Sequence, residues 1–283
     1  MTWQVLILIS VFLYSISILL QRILLKEDKS DPKTYSIFFQ LFTGLFVGVF
    51  GFMFSDMSFP NIRPLIFNLV LMTLLYGFGN VFIFQALKSI EASRFTVIFA
   101  SRALFTILAS FLFLQEKLSS RQTLGAFFIL LGVVLVNIKS AKLKFSKKEV
   151  TALLAAMLFG FTNTNDRFLL KSFTVYPYVF LAFVIPAFLI VLLYPYTVKK
   201  MKAFLECKLL AKMSLLCIFY AVSAITFFSA LQKASNSSQV VSANLTSVII
   251  TVLLAIIFLK ERDYLPQKLL GAIASFIGLL LVS

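Results

Sequence analysis

The stretch FLQEKLSSRQTLGAFFILLGVVLV, residues 113–136, recurs near the other end of the chain as FLKERDYLPQKLLGAIASFIGLLLV, residues 258–282. With one residue inserted, the alignment pairs Glu116 with Glu261, Gly125 with Gly271, and Gly132 with Gly278. The two glycines of each copy lie seven residues apart on one helical face, where small residues let membrane helices pack closely. A repeat of this kind predicts two structurally equivalent halves.

The repeat extends over the rest of the chain. YGFGNVFIFQALK (76–88) aligns with YAVSAITFFSALQK (220–233), and QRILLK (21–26) aligns with DRFLLK (166–171). The matched positions are Tyr76 with Tyr220, Phe84 with Phe228, Ala86-Leu87 with Ala230-Leu231, Arg22 with Arg167, and Pro32 with Pro177. We therefore divide the chain into a first repeat, residues 1–140, and a second repeat, residues 141–283.

The composition is typical of an integral membrane protein. Of the 283 residues, 60% are hydrophobic and 13% are charged, and the mean hydropathy is +0.99, whereas a soluble domain needs roughly half of its residues to be polar. The first apolar run, from Trp3 to about Leu25, has no small-residue cleavage site and is predicted to be a retained span. The apolar segments long enough to cross a bilayer as helices are approximately 3–24, 34–54, 64–87, 93–114, 121–138, 149–170, 175–196, 209–231, 237–259 and 265–282.

The predicted fold class is an all-α integral membrane protein of about ten transmembrane helices. Each repeat holds five spans, and an odd number forces the second repeat to cross the membrane in the opposite sense to the first. Inverted repeats are typical of transporters, whose substrate sites lie between the halves near the bilayer midplane. The alternative is that duplication built only a stable bundle.

Several function classes are disfavoured by the composition. The net charge of +15 comes from basic residues in short loops, which predicts membrane topology and anionic lipid contact and no nucleic-acid binding. The chain has no His and two Cys, Cys207 and Cys217, so we expect no metal site, no cofactor and no disulfide framework. An enzyme is not expected, because the acids lie almost wholly in loops.

The basic residues also predict an orientation. Under strict alternation of the spans, nineteen of the 26 Lys and Arg residues fall on one side, with the richest clusters at 139–148 and 199–212. The positive-inside rule assigns this side to the cytoplasm and both termini to the outside. A multi-pass protein of the cell (plasma) membrane is the expected location.

The pattern FLxE followed by (Q)xxGAxxxxxGxxLV ends each half, and with the five-plus-five layout it resembles the EamA family of the drug/metabolite transporter superfamily. The resemblance covers essentially the whole chain. It implies transport of small organic solutes without ATP, through a cavity lined by spans three, four, eight and nine, with spans one and six contributing. Many relatives carry Gly before the loop Glu, where this chain has Gln115 and Lys260, and many carry an acid in span four where this chain has Arg102. The resemblance also favours both termini inside, against the charge count.

Arg102 is the most informative residue of span four. A charge near the bilayer centre is costly, by about 2.5–3.5 kcal/mol on insertion scales, and such residues usually face a cavity. One interpretation is that its guanidinium binds a carboxylate or phosphate of a substrate. The alternative is a structural role, with Arg102 paired to backbone carbonyls or to Asp166. Arg94, at the start of the same span, is expected to reach the membrane surface.

Other polar residues lie in the spans that the resemblance assigns to the cavity. Each alone is better explained by interhelical hydrogen bonding, but a pocket needs a few convergent polar groups among aromatic walls. With Arg102, the candidate substrate-binding residues are Tyr76, Asn80, Ser101, Thr106, Tyr220 and Asn244. The run TNTNDRF (162–168) supplies Asn163, Asp166 and Arg167, which with Arg22 are candidates for a gate or an interhelical polar network. A local Asp166–Arg167 pair at a helix end is the alternative.

The sequence therefore predicts a secondary or facilitative transporter that uses alternating access. Its substrate is expected to be a small organic metabolite, anionic or zwitterionic, such as an amino acid. The runner-up is an exporter of cationic or apolar drugs, and a non-transporting membrane scaffold is the alternative from another class. The expected partners are the substrate and the lipid bilayer; a monomer is expected, with a homodimer as the alternative.

Overall fold

The computed structural model describes residues 1–27, 31–114, 119–139, 142–143, 146–233, 240 and 243–282. Glu116 and Gln115 lie outside these described residues. The helices are α1 (Trp3–Glu27), α2 (Pro32–Phe54), α3 (Ile66–Ser89), α4 (Ala92–Ala100), α5 (Arg102–Leu114), α6 (Ser120–Asn137), α7 (Lys147–Leu169), α8 (Val175–Leu193), α9 (Tyr196–Met201), α10 (Cys207–Lys233), α11 (Thr246–Phe258) and α12 (Leu265–Val282). Strands β1 (Ile138–Lys139) and β2 (Lys142–Leu143) form a short antiparallel pair between α6 and α7.

The predicted all-α membrane class is confirmed. In the described part of the chain, eight helical segments are long and apolar enough to cross a membrane. The 23-residue α7 is not among them, since it carries the polar run 162–167, and α11 is apolar but only 13 residues long. With these two, the arrangement is consistent with about ten spans.

Helices of the two halves interleave. Equivalent helices pack against each other, α2 against α8 and α6 against α12, and the remaining large interfaces form matched pairs: α1 with α10 corresponds to α3 with α7. Exchanging the halves leaves the α2–α8 and α6–α12 interfaces in place and converts the α1–α10 interface into the α3–α7 interface. Most of the packing is therefore between the repeats, and the space enclosed by them lies at the centre of the molecule.

The glycines of the repeated motif set the closest of these interfaces. A Cβ on Gly132 would lie 2.6 Å from the Gly271 carbonyl oxygen, and one on Gly278 would lie 2.6 Å from the Gly125 oxygen. Because no side chain fits there, α6 and α12 approach backbone to backbone. The predicted close packing through the four repeated glycines is confirmed.

Span four, predicted as one helix, is broken. Helix α4 ends at Ala100 and α5 begins at Arg102, with a turn at Ser101 whose carbonyl accepts from Leu104 N at 2.9 Å. In the second half, a turn at Leu245 precedes α11, and its carbonyl accepts from Val248 N at 3.1 Å. In the repeat alignment that pairs Tyr76 with Tyr220, Ser101 falls opposite Leu245. The break is therefore a property of the repeat.

The two ends of the bundle differ. The end that holds Trp3 and Val282 is called the terminal end; the opposite end carries the predicted basic loops and is called the basic end. At the basic end, Lys268 Nζ lies 3.0 Å from a carboxylate oxygen of Glu91 and donates to the Glu261 carbonyl at 2.9 Å. The ion pair of Lys268 with Glu91 joins the second repeat to the first and holds the basic end shut.

Arg94 also lies at the basic end, but it does not reach the membrane surface as predicted. It is 5% exposed, forms an ion pair with Glu149 at 2.9 Å, and donates to Asn137 Oδ1 at 2.8 Å. A guanidinium that finds both a carboxylate and an amide oxygen inside the protein no longer needs water. The expectation for Arg94 was wrong for this reason.

Candidate functional site

A cavity of about 740 Å³ occupies the centre of the bundle. It opens at the terminal end, where Gln122, Lys171, Gln232 and Val282 line it, and it extends inward to Asn80 and Ser247. Each span that the resemblance assigns to the cavity contributes to its wall: Ser10 from α1, Tyr76 from α3, Thr106 from α5, Asp166 from α7, Tyr220 from α10 and Asn244 before α11. This volume is in the range of small-molecule sites.

Arg102 begins α5 at the helix break and lines this cavity. Its guanidinium carbon lies 4.8 Å from the ring centroid of Phe99, an arrangement that favours a cation over an aromatic face. Neither Asp166 nor any other described residue forms an ion pair or side-chain hydrogen bond with it. The pairing with Asp166 that was the structural alternative is absent here.

At the inner end of the cavity, Arg102 also lines a recess of about 20 Å³. The other polar residues that line this recess are Tyr14, Gln21, Asn80 and Tyr220. The Gln21 side-chain oxygen is buried, and no described residue donates a hydrogen bond to it. The recess therefore places donors of Arg102 and an unpaired acceptor beside two phenols. This is the polar floor of the cavity.

Asp166 lies in the cavity wall and is 6% exposed. Tyr76 of α3 donates to one carboxylate oxygen at 2.7 Å, and Tyr178 of α8 donates to the other. The predicted alternative of a local Asp166–Arg167 pair is wrong, because the Asp166 carboxylate is bonded to the two phenols and forms no ion pair with the exposed Arg167. The cavity wall thus contains an acid, Asp166, whereas the sequence suggested that this residue lies at a helix end.

The structure brings together six of the seven predicted cavity residues: Tyr76, Asn80, Arg102, Thr106, Tyr220 and Asn244 all line the cavity. Ser101 does not; its hydroxyl is buried and donates to the Ile98 carbonyl at 2.7 Å, which stabilises the helix break. Thr106 donates to the Gly160 carbonyl at 3.0 Å and accepts from Asn163 at 3.3 Å.

The predicted gate residues separate into two groups. Asn163, Asp166 and Arg167 line the cavity, and Arg167 lies at its mouth together with Lys171. Arg22 does not line the cavity; at the basic end it donates to the Leu87 carbonyl. The two repeat-related arginines therefore have different surroundings.

Two residues of the candidate site were missed in the sequence: Gln21, which lines the recess, and Tyr178, which donates to Asp166. Gln21 could have been found, since the repeat alignment places it opposite Asp166. The repeat alignment gives no such indication for Tyr178, because it places this residue opposite Lys33. Only the fold brings the Tyr178 hydroxyl to Asp166.

Helices from two interleaved repeats that enclose a central cavity of polar and apolar residues define a polytopic membrane protein. The profile of the EamA-like transporter family matches residues 1–138 and again residues 146–283, and the chain belongs to that family.

Two individual comparisons accompany this match. Over 94 residues the chain is 31% identical to "Solute carrier family 35 member B1" of Xenopus laevis, a stretch that covers 33% of this chain and 29% of that protein. The chain thus spans less than a third of the length of the curated relative. A crystal structure described only as that of a protein matches with a TM-score of 0.65 over 98% of this chain and 95% of that one, at 14% identity. At that identity the likeness shows the fold alone.

Proposed function

We propose that this protein is a secondary or facilitative transporter of small organic anions or zwitterions, and that Arg102 binds their anionic group. The observation that carries this proposal is a guanidinium that lines a cavity of about 740 Å³ with no described carboxylate paired to it. A planar guanidinium binds carboxylates and phosphates through two parallel hydrogen bonds.

The positive charges that line the cavity also support an anionic substrate. Arg167 and Lys171 lie at the mouth, and both are exposed. The acid in the wall, Asp166, is already bonded to two phenols. An entering anion therefore meets positive charge at the mouth and again at Arg102, which raises its local concentration.

The orientation follows from the charges of the basic end. By the positive-inside rule the basic end faces the cytoplasm, so the cavity opens to the outside of the cell membrane and both termini lie outside. The structure then corresponds to an outward-open state of an alternating-access cycle. Because both halves of the cavity come from one chain, a monomer suffices for transport.

The experiment is a thermal-shift screen of the detergent-purified protein with carboxylates, phosphate esters and, as the competing class, quaternary ammonium compounds. A ligand at 100 times its dissociation constant stabilises the folded state by about 2.7 kcal/mol. We expect anions to raise the melting temperature of wild type and of Arg63→Gln, an exposed charge outside the cavity, and to have no effect on Arg102→Gln.

Three outcomes count against the proposal. Stabilisation of wild type by quaternary ammonium compounds alone would favour drug export. An undiminished anion response in Arg102→Gln would place the anion site elsewhere. No response to any compound would favour a scaffold.

A further inference from the structure

The two repeat-related arginines make different contacts at the two ends. At the closed basic end, Arg22 donates to the Leu87 carbonyl. The repeat places Arg167 and Leu231 in the same relationship at the terminal end, and both of them line the open cavity. No hydrogen bond joins them within the described ranges. The contact is thus present where the molecule is closed and absent where it is open.

A second pair of repeat-related contacts shows the reverse pattern, since it is formed on the open side and not on the closed side. Tyr76 donates to Asp166 at 2.7 Å on the open side. The repeat equivalents are Tyr220 and Gln21, which line the same recess of about 20 Å³ without a bond between them. The Gln21 oxygen is buried and lacks a donor among the residues described. A buried acceptor without a partner is unfavourable, which indicates a donor supplied in another conformation.

We infer that these four contacts exchange when the transporter changes the side to which it opens. Closing the mouth would join Arg167 to the Leu231 carbonyl and separate Tyr76 from Asp166. Opening the basic end would release Arg22 from Leu87 and let Tyr220 donate to Gln21. In a pair of inverted repeats, each half adopts in one state the conformation that the other half has in the opposite state. The inference rests on the proposed function, since only an alternating protein has the second state.

The two arginines and the two tyrosines are then positioning residues. Within each repeat-related pair, the two residues stabilise opposite states of the transporter. Arg22 and Tyr76 stabilise the outward-open state shown here, whereas Arg167 and Tyr220 stabilise the opposite state. The shift caused by Arg22→Gln is expected to be partial, because the Lys268–Glu91 ion pair still holds the basic end.

The repeat supplies a matched pair of reporter positions. Leu170 lines the cavity, and its equivalent Leu25 is fully buried near the basic end. Single cysteines at these two positions, with Cys207 and Cys217 replaced by Ser and Ala, would be labelled by a soluble maleimide in detergent without any ligand. In the otherwise unchanged protein we expect Leu170→Cys to react fast and Leu25→Cys slowly.

The test is the direction in which each variant moves the two labelling rates. Arg22→Gln and the conservative Tyr76→Phe are expected to raise the Leu25→Cys rate several-fold and to lower the Leu170→Cys rate. Arg167→Gln and Tyr220→Phe are expected to reverse these changes when added to Arg22→Gln or Tyr76→Phe. Arg63→Gln is the control for removal of an exposed charge.

Two results would overturn the exchange. One is that the variants raise both rates together, as general loosening would. The other is that Arg167→Gln and Tyr220→Phe fail to reverse the shift caused by Tyr76→Phe. If the rates exchange as expected while no anion binds, the exchange stands and the anion class falls; if anions bind and the rates do not exchange, only the exchange falls.

Discussion

The Glu261 carboxylate accepts two hydrogen bonds from Ser93, one from the hydroxyl at 2.6 Å and one from the backbone nitrogen at 2.9 Å. It accepts a third from Ala92 N at 2.9 Å. Glu261 belongs to the second repeat and α4 to the first, so the carboxylate caps a helix of the other half. Its negative charge also lies where the helix dipole favours an anion.

Removing this cap is expected to destabilise the protein. Glu261→Ala leaves the first N–H groups of α4 buried without acceptors, at about 1–3 kcal/mol for each unsatisfied donor. We expect a loss of about 2–4 kcal/mol in the free energy of unfolding, measured by thermal unfolding in detergent. Glu206→Ala, at an exposed position, is the matched control. Equal stability of the two variants would contradict the capping role.

The buried ion pair between Arg94 and Glu149 predicts a coupled effect. Glu149→Gln leaves the Arg94 charge buried without a carboxylate, and we expect a cost of about 3–5 kcal/mol. Adding Arg94→Met to Glu149→Gln removes the unpaired charge and is expected to recover part of the stability. A double-mutant cycle of unfolding free energies checks this, and strict additivity would show that the two residues act independently.

The glycine contacts of α6 with α12 predict a steric effect. Gly132→Ala places a Cβ 2.6 Å from the Gly271 carbonyl oxygen, and we expect a loss of about 2–3 kcal/mol from overpacking. Gly77→Ala in α3 meets nothing closer than 3.4 Å and is expected to gain about 0.5–1 kcal/mol from helix propensity. Comparing the two melting temperatures tests the interface; a Gly132→Ala protein as stable as Gly77→Ala would argue against close packing.

Lys260 predicts a gain of stability. Its φ of 54° lies in the left-handed region that favours glycine. Lys260→Gly is expected to stabilise the protein by about 1 kcal/mol by relieving backbone strain. Lys260→Ala keeps the strain and is expected to give no gain. Equal effects of Ala and Gly on thermal unfolding would show that the backbone at residue 260 is not strained.

Much of the fold follows from local patterns in the sequence. Mean hydropathy locates the spans, and the glycines at 125, 132, 271 and 278 indicate the interface of α6 with α12. Arg102 and Thr106 could be chosen because polar side chains in the middle of an apolar span need a polar surrounding. The other four confirmed cavity residues were chosen as polar side chains in the spans that the family resemblance assigns to the cavity: Tyr76, Asn80, Tyr220 and Asn244. The repeat alignment identified Arg22 and Arg167 as equivalent residues.

Other features depend on contacts between distant residues. Neither Ser101 nor Leu245 has a Pro or Gly beside it that would signal a break in the helix. Arg94 is buried only because Glu149 and Asn137, far along the chain, arrive beside it. Asp166 could not be placed in the cavity wall from its position near a helix end, since the phenols of Tyr76 and Tyr178 come from two other helices.

We propose that Arg102 binds an anion that the protein carries across the membrane. The most direct measurement is counterflow in proteoliposomes: vesicles loaded with an unlabelled anion found in the thermal-shift screen are diluted into the same radiolabelled anion. We expect transient accumulation of label with wild type and Arg63→Gln, and its loss with Arg102→Gln. Accumulation that persists undiminished in folded Arg102→Gln, or binding by wild type without any counterflow, would contradict it.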